Sequence, residues 1–183
     1  MAVAIFTIAA PIVAAAADQP KKIDDLIKTL GSGKQADQLQ ATDDLEEMGH
    51  SAKPAVPALI KALESSDPQL QWRAARALSA MGADAKDAVP ALTKALKSPD
   101  AMVRGHSAHA LEEIGEASQP SAAELADLLD DKDGNVRRAA IDALVAIKLK
   151  PEKLIPVLKQ AIEENEGDPS LMVPALNLLA EQG

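Results

Sequence analysis

Two histidines three residues apart, His106 and His109, are the residues of this chain whose spacing most directly suggests chemistry. On a helix they share a face, and two imidazoles so placed can share a Zn²⁺ or Cu²⁺ ion. A site needs further ligands. Glu113, one turn beyond His109, is the only obvious third, and His50 lies well away in sequence. The chain has no Cys and no H-E-x-x-H run. The pair therefore reads as two solvated imidazoles on a helix wall, and neither a metal nor any other cofactor is assigned.

Catalysis finds less support still. Asp43, Asp44, Glu46 and Glu47 form a charge run of the kind that keeps a helix face solvated. No G-x-S-x-G, phosphate-cradling glycine loop or dinucleotide fingerprint occurs. The absence of Cys also removes a thiol nucleophile, a thiolate metal site and disulfides. With 28 acidic against 19 basic residues, the formal net charge is −9. That balance argues against nucleic acid, because phosphate binding draws on clustered Lys and Arg. The expectation is a chain that is not an enzyme.

What remains is a surface for contact. Trp72, Arg73 and Arg76 put the chain's single Trp beside two guanidinium groups, the composition of an interface anchor. At about 100° per residue, Ala74, Ala75, Leu78 and Met81 share one helix side and should be core, with Trp72, Arg76 and Ser79 nearly opposite and Arg73 on the flank. The same stripe continues through His109 and Glu112, then Arg138, Asp142 and Val145. Trp72 could equally lie flat across a neighbouring helix as packing. The candidate contact set is Trp72, Arg73, Arg76, His106, His109 and Arg138.

The elements that position these residues are copies of one unit. The stretch 55–82, AVPALIKALESSDPQLQWRAARALSAMG, returns at 88–115 as AVPALTKALKSPDAMVRGHSAHALEEIG, offset by 33 residues. A fixed period of this size marks a chain built by stacking a single unit. Leu26, Leu59, Leu92 and Leu125 are equivalent, as are Leu45, Leu78, Leu111 and Leu144. The units run 20–54, 55–87, 88–120, 121–153 and 154–183. Each holds two apolar patterns at helical spacing, so the reading is all-α, a right-handed α-solenoid of five antiparallel helix pairs. Asp67, Asp100 and Asp133 should cap second helices, with Lys34 replacing the capping Asp in the first unit. Gly49, Gly82 and Gly115 should close second helices in a left-handed conformation. Pro57 and Pro90 fall in a first turn that tolerates them. The near absence of rings, only Phe6 and Trp72, favours packing by Ala and Leu.

Ahead of the units, residues 2–17 carry no charge and end in Ala15-Ala16-Ala17. This resembles a secretory signal peptide cleaved before Asp18, which would place the chain in the periplasm or outside the cell. The run is short for a membrane span, so no stable span is expected after its removal. No Lys or Arg precedes it, so the alternatives of an upstream start or a retained anchor stay open.

The units resemble HEAT-like repeats, in the short bacterial form also found in phycobilisome-lyase-type proteins. The shared pattern is A-V-P-A-L in helix one and D-x-x-V-R-x-x-A-x-x-A-L-x-x-I-G in helix two, clearest at 100–115 (DAMVRGHSAHALEEIG) and 133–147 (DGNVRRAAIDALVAI). The resemblance implies that the Arg of this pattern is structural, here a ladder of Asp100, Arg104, Asp133 and Arg137 between layers. It also implies that the stripe through Trp72 lines a concave groove holding a protein partner. Docking of a structural or regulatory subunit through the ends, near Leu26 and Leu178, is the alternative. A role like that of phycobilin lyases is a remoter one. A monomer is expected.

Overall fold

The computed structural model describes residues 23–150 together with 152, 154–156, 159 and 163. The leader at 2–17, its cleavage point, Leu178 and nearly all of the fifth unit lie outside the described residues. Four helix pairs succeed one another: α1 (Ile23–Ser32) with α2 (Gln35–Met48), α3 (Val56–Leu63) with α4 (Pro68–Met81), α5 (Val89–Ala95) with α6 (Ala101–Ile114), and α7 (Ala122–Asp127) with α8 (Gly134–Ala146). There is no strand among the described residues. The all-α solenoid expected from the period is what the chain forms.

Each pair closes over leucines at the repeat positions. Leu59, Leu92 and Leu125 are fully buried, as are Leu45, Leu78, Leu111 and Leu144. A large aliphatic gains roughly 1.5–3 kcal/mol on burial, yet one pair offers only half of the wall needed. The neighbouring unit supplies the rest, as a repeat architecture requires. The second helices α2, α4, α6 and α8 pack on one another along their length as one layer. The shorter first helices touch each other sparingly on the other side.

The boundaries obey local chemistry. The Asp67 side chain accepts from the Gln69 N–H at 3.0 Å, Asp100 from Met102 at 2.8 Å and Val103 at 3.1 Å, and Asp133 from Asn135 at 2.8 Å. These bonds satisfy amides that a helix start leaves unpaired. Lys34 stands at the equivalent place in α2 and makes no such bond. At the far ends the glycines depart from expectation. Gly82 has φ 54° and ψ −134°, with Gly49 and Gly115 in the same region. This is the mirror of the extended region, not left-handed helix, and it too suits a residue without Cβ. The reason lies in the adjoining backbone, which turns at once into seven-residue 3-10 segments, Gly49–Ala55, Gly82–Ala88 and Gly115–Ser121. One repeat beyond Gly115 the same positive φ, 51°, falls on Lys148.

A second device recurs at the loop between helices of a pair. Gln38 donates to the Leu30 carbonyl at 2.8 Å, and Gln71 to the carbonyls of Leu63 at 3.1 Å and Ser65 at 2.7 Å. Arg104 donates to Ser98 and Pro99 carbonyls at 2.9 and 3.0 Å, and Arg137 to that of Asp131 at 2.7 Å. The same repeat position thus holds the loop of its own unit in all four units. The expected ladder is corrected here. Asp100 and Asp133 serve as helix caps, and the carboxylate bonded to Arg104 is Asp131, at 2.6 Å from Nε and 2.8 Å from Nη2.

Candidate functional site

The second-helix layer brings four of the six candidate residues together. The Trp72 ring on α4 stacks on the His106 imidazole of α6, centroids 5.3 Å apart and planes inclined by 25°. The guanidinium carbons of Arg73 and Arg76 lie 4.7 and 5.1 Å from the Trp72 ring centre. Such contacts favour cation over ring on electrostatic grounds. Trp72 is only half-buried. The structure therefore joins the two readings of Trp72: it packs across to the next unit and keeps part of its ring on the surface. Ser79, expected beside Trp72 on the open face, is instead buried, 8% exposed.

Both arginines reach back one unit. Arg73 Nη1 donates to Asp43 Oδ1 at 2.6 Å. Arg76 donates from Nε to Glu46 Oε2 at 2.5 Å and from Nη2 to Asp43 Oδ1 at 3.0 Å. Asp43 and Glu46 are thus not merely a solvated charge run. The sequence does hold a signal for them: opposite charges separated by 30 to 33 residues face each other when the period is 33. The Arg73 Nε is buried without a hydrogen-bond partner among the described residues.

His106 titrates low. Burial pushes its pKa below the ordinary imidazole value, the Arg76 guanidinium and the neighbouring His109 ring push the same way, and Glu46 opposes them. The remaining two candidates do not join the cluster. His109 is held by Glu112 of its own helix at 2.9 Å, and Arg138 by Asp142 of its own helix at 3.1 Å. The grouping of potential metal ligands also differs from that read in the sequence. The converging atoms belong to His109, Glu112 and Glu113, within 4.8 Å of one another, while His106 faces Trp72. His50 is paired with Asp84 at 3.2 Å beside the Lys53–Asp84 bridge at 2.8 Å.

The pattern of HEAT repeats matches residues 23–112 and again 89–170. The chain belongs to the HEAT repeat family. Among solved structures, this HEAT repeat chain is similar to an engineered protein at 27% identity and a TM-score of 0.70, over 87% of this chain and 78% of that one. A designed armadillo repeat protein in complex with the peptide (KR)4 shares the fold at 16% identity and a TM-score of 0.74, covering 88% of this chain and 82% of its own. The complex of CpcE and CpcF of phycocyanin lyase from Nostoc sp. PCC7120 matches at 25% identity and a TM-score of 0.66, over 87% of this chain and 64% of that chain. No curated protein matches. Among the described residues no helix is long and apolar enough to cross a membrane.

Proposed function

We propose that this HEAT repeat chain is a non-enzymatic scaffold that holds an extended segment of a protein partner along the face formed by α2, α4, α6 and α8. The observation that carries this reading is the Trp72 cluster. A half-buried ring at the middle of that layer, fixed by His106, Arg73 and Arg76, is a rigid anchor of the kind that dominates interfaces. The second helices also pack more intimately than the first helices. A stack of wedges curves toward its closer-packed layer, which makes this the concave side. Of the carboxylates on α2, Asp43 and Glu46 are already paired with Arg73 and Arg76 of α4, so the charge beside Trp72 is balanced within the layer. Leu26 is buried, which favours this face over an apolar docking end. If 2–17 acts as an export signal, the partner is met outside the cytoplasm.

The test is capture of partners from the extracytoplasmic fraction by the chain and by a Trp72→Ala/Arg76→Glu variant of equal helicity. A partner retained by the first and lost by the second supports the groove. Equal capture by both moves the site to another face. The likeness to the CpcE–CpcF complex favours one competing reading, an accessory to bilin attachment. An absorption shift on mixing the purified chain with a bilin would support it instead.

A further inference from the structure

The opposite layer carries two equivalent clefts that the proposed groove leaves unused. One lies between α1 and α3, floored by Leu30, Ala58 and Leu70 with Lys61 at its edge. The other lies between α3 and α5, floored by Leu63, Ala91 and Val103 with Lys94 at its edge. Leu63, Ala91, Val103 and Lys94 are Leu30, Ala58, Leu70 and Lys61 advanced by one repeat, while Glu64 lines the second cleft where Gly31 lines the first. Their volumes, about 420 and 480 Å³, each accept a large aliphatic side chain with its flanking backbone.

Each edge carries a lysine at the same repeat position. Lys28, Lys61 and Lys94 occupy one repeat position and are exposed. None of the three has a carboxylate partner among the described residues. Lys53, Lys97 and Lys148, by contrast, are bridged to Asp84, Glu124 and Glu116, while Lys34, Lys86 and Lys132 are exposed like the three but stand outside this register. In the fourth unit the same position is Asp127, so the run of lysines stops there. A chain of net charge −9 that keeps three unneutralised lysines in register beside apolar hollows presents a local complement to negative charge.

We infer that the first-helix face is a second docking surface, one that takes an extended acidic segment with large apolar side chains three residues apart. The spacing comes from geometry. Neighbouring helices pack at about 8–10 Å, and a polyproline-type strand advances about 3.1 Å per residue with three residues per turn. Apolar side chains at i and i+3 therefore reach consecutive clefts from one side of the strand. Carboxylates next to them meet Lys61 and Lys94.

A fluorophore-labelled peptide, acetyl-Glu-Pro-Leu-Glu-Pro-Leu-Glu-amide, tests this by anisotropy against the full chain at low salt. Saturable binding is expected. Lys61→Glu/Lys94→Glu should weaken it about tenfold or more, and so should a peptide with Lys in place of each Glu. Both lysines are exposed, so the variant should fold, and circular dichroism checks that it has. Arg76→Glu, on the other layer, should leave this binding unchanged, which separates the present inference from the groove proposal. No saturable binding overturns it. So does equal binding of the charge-reversed peptide, indifference to the lysine variant, or loss with Arg76→Glu.

Discussion

Arg104 and Asp131 form a two-point ion pair across consecutive units, with both side chains 8% exposed. Burial alone would push the Asp131 carboxyl up, but the Arg104 bonds and the Asp133 N–H together hold it below the usual carboxylate range. A buried charge deprived of its partner is strongly destabilising, whereas removing both can be near neutral. Asp131→Asn should therefore cost about 3 kcal/mol, and Arg104→Met/Asp131→Asn should recover much of it in urea melts. Because the folded pKa is depressed, this stability is present above pH 3.8 and is lost as pH falls through the folded value.

The stack of His106 on Trp72 gives a second pH dependence at milder acidity. The folded imidazole resists protonation, so its contribution is complete above the ordinary value of 6.5 and declines as pH falls from there toward the folded pKa. Melts between pH 7.5 and 5.5 should show the chain losing stability on the acid side. His106→Phe keeps a ring against Trp72 and should flatten that slope. An unchanged slope would assign it to other groups.

Ser107 and Ser118 place fully buried hydroxyls at positions where other units carry Ala74 and Ala140, or Ala52 and Ala85. Neither hydroxyl has a hydrogen-bond partner among the described residues. A buried unsatisfied donor costs about 1–3 kcal/mol. Ser107→Ala and Ser118→Ala should each raise stability by about 1 kcal/mol, read as a higher denaturant midpoint with unchanged slope.

Lys148 holds a positive φ that glycine holds one, two and three repeats earlier. A side chain in that region costs about 1–2 kcal/mol, and the exposed Lys148–Glu116 bridge offsets little of it. Lys148→Gly should therefore stabilise the fourth unit by about 1 kcal/mol. Gly82→Ala should do the reverse by a similar amount, seen as paired and opposite shifts of the thermal midpoint.

The period of 33 makes the helix pairs, caps and buried leucines legible, because each is fixed by a residue type recurring at one place. Its limit lies in contacts between units. Helical angles place Ser79 about 160° from Met81 but only about 100° from Leu78, and a helix in a stack has two covered flanks, so that offset leaves Ser79 buried. The repeat pattern pairs the Asp100 and Asp133 carboxylates with arginines, whereas nearer amides claim them. Asp131 does not stand out in the pattern because its repeat equivalents are Ser65 and Ser98, which share its bond to the backbone but not its charge. The Trp72–His106 stack is half visible: both residues are candidates from sequence, but their meeting depends on the offset between α4 and α6.

Among the described residues the side-chain ties between units join neighbours: Asp43 to Arg73, Gln35 to Asp67, Thr93 to Ser121, Arg104 to Asp131. A structure joined only to its next neighbour behaves mechanically as a leaf spring. Small rotations at each joint add along its length while no single contact breaks, so the ends can swing widely over an undisturbed core. Load applied at the termini would peel units in sequence, and the joint locked by the Arg104–Asp131 pair would yield late.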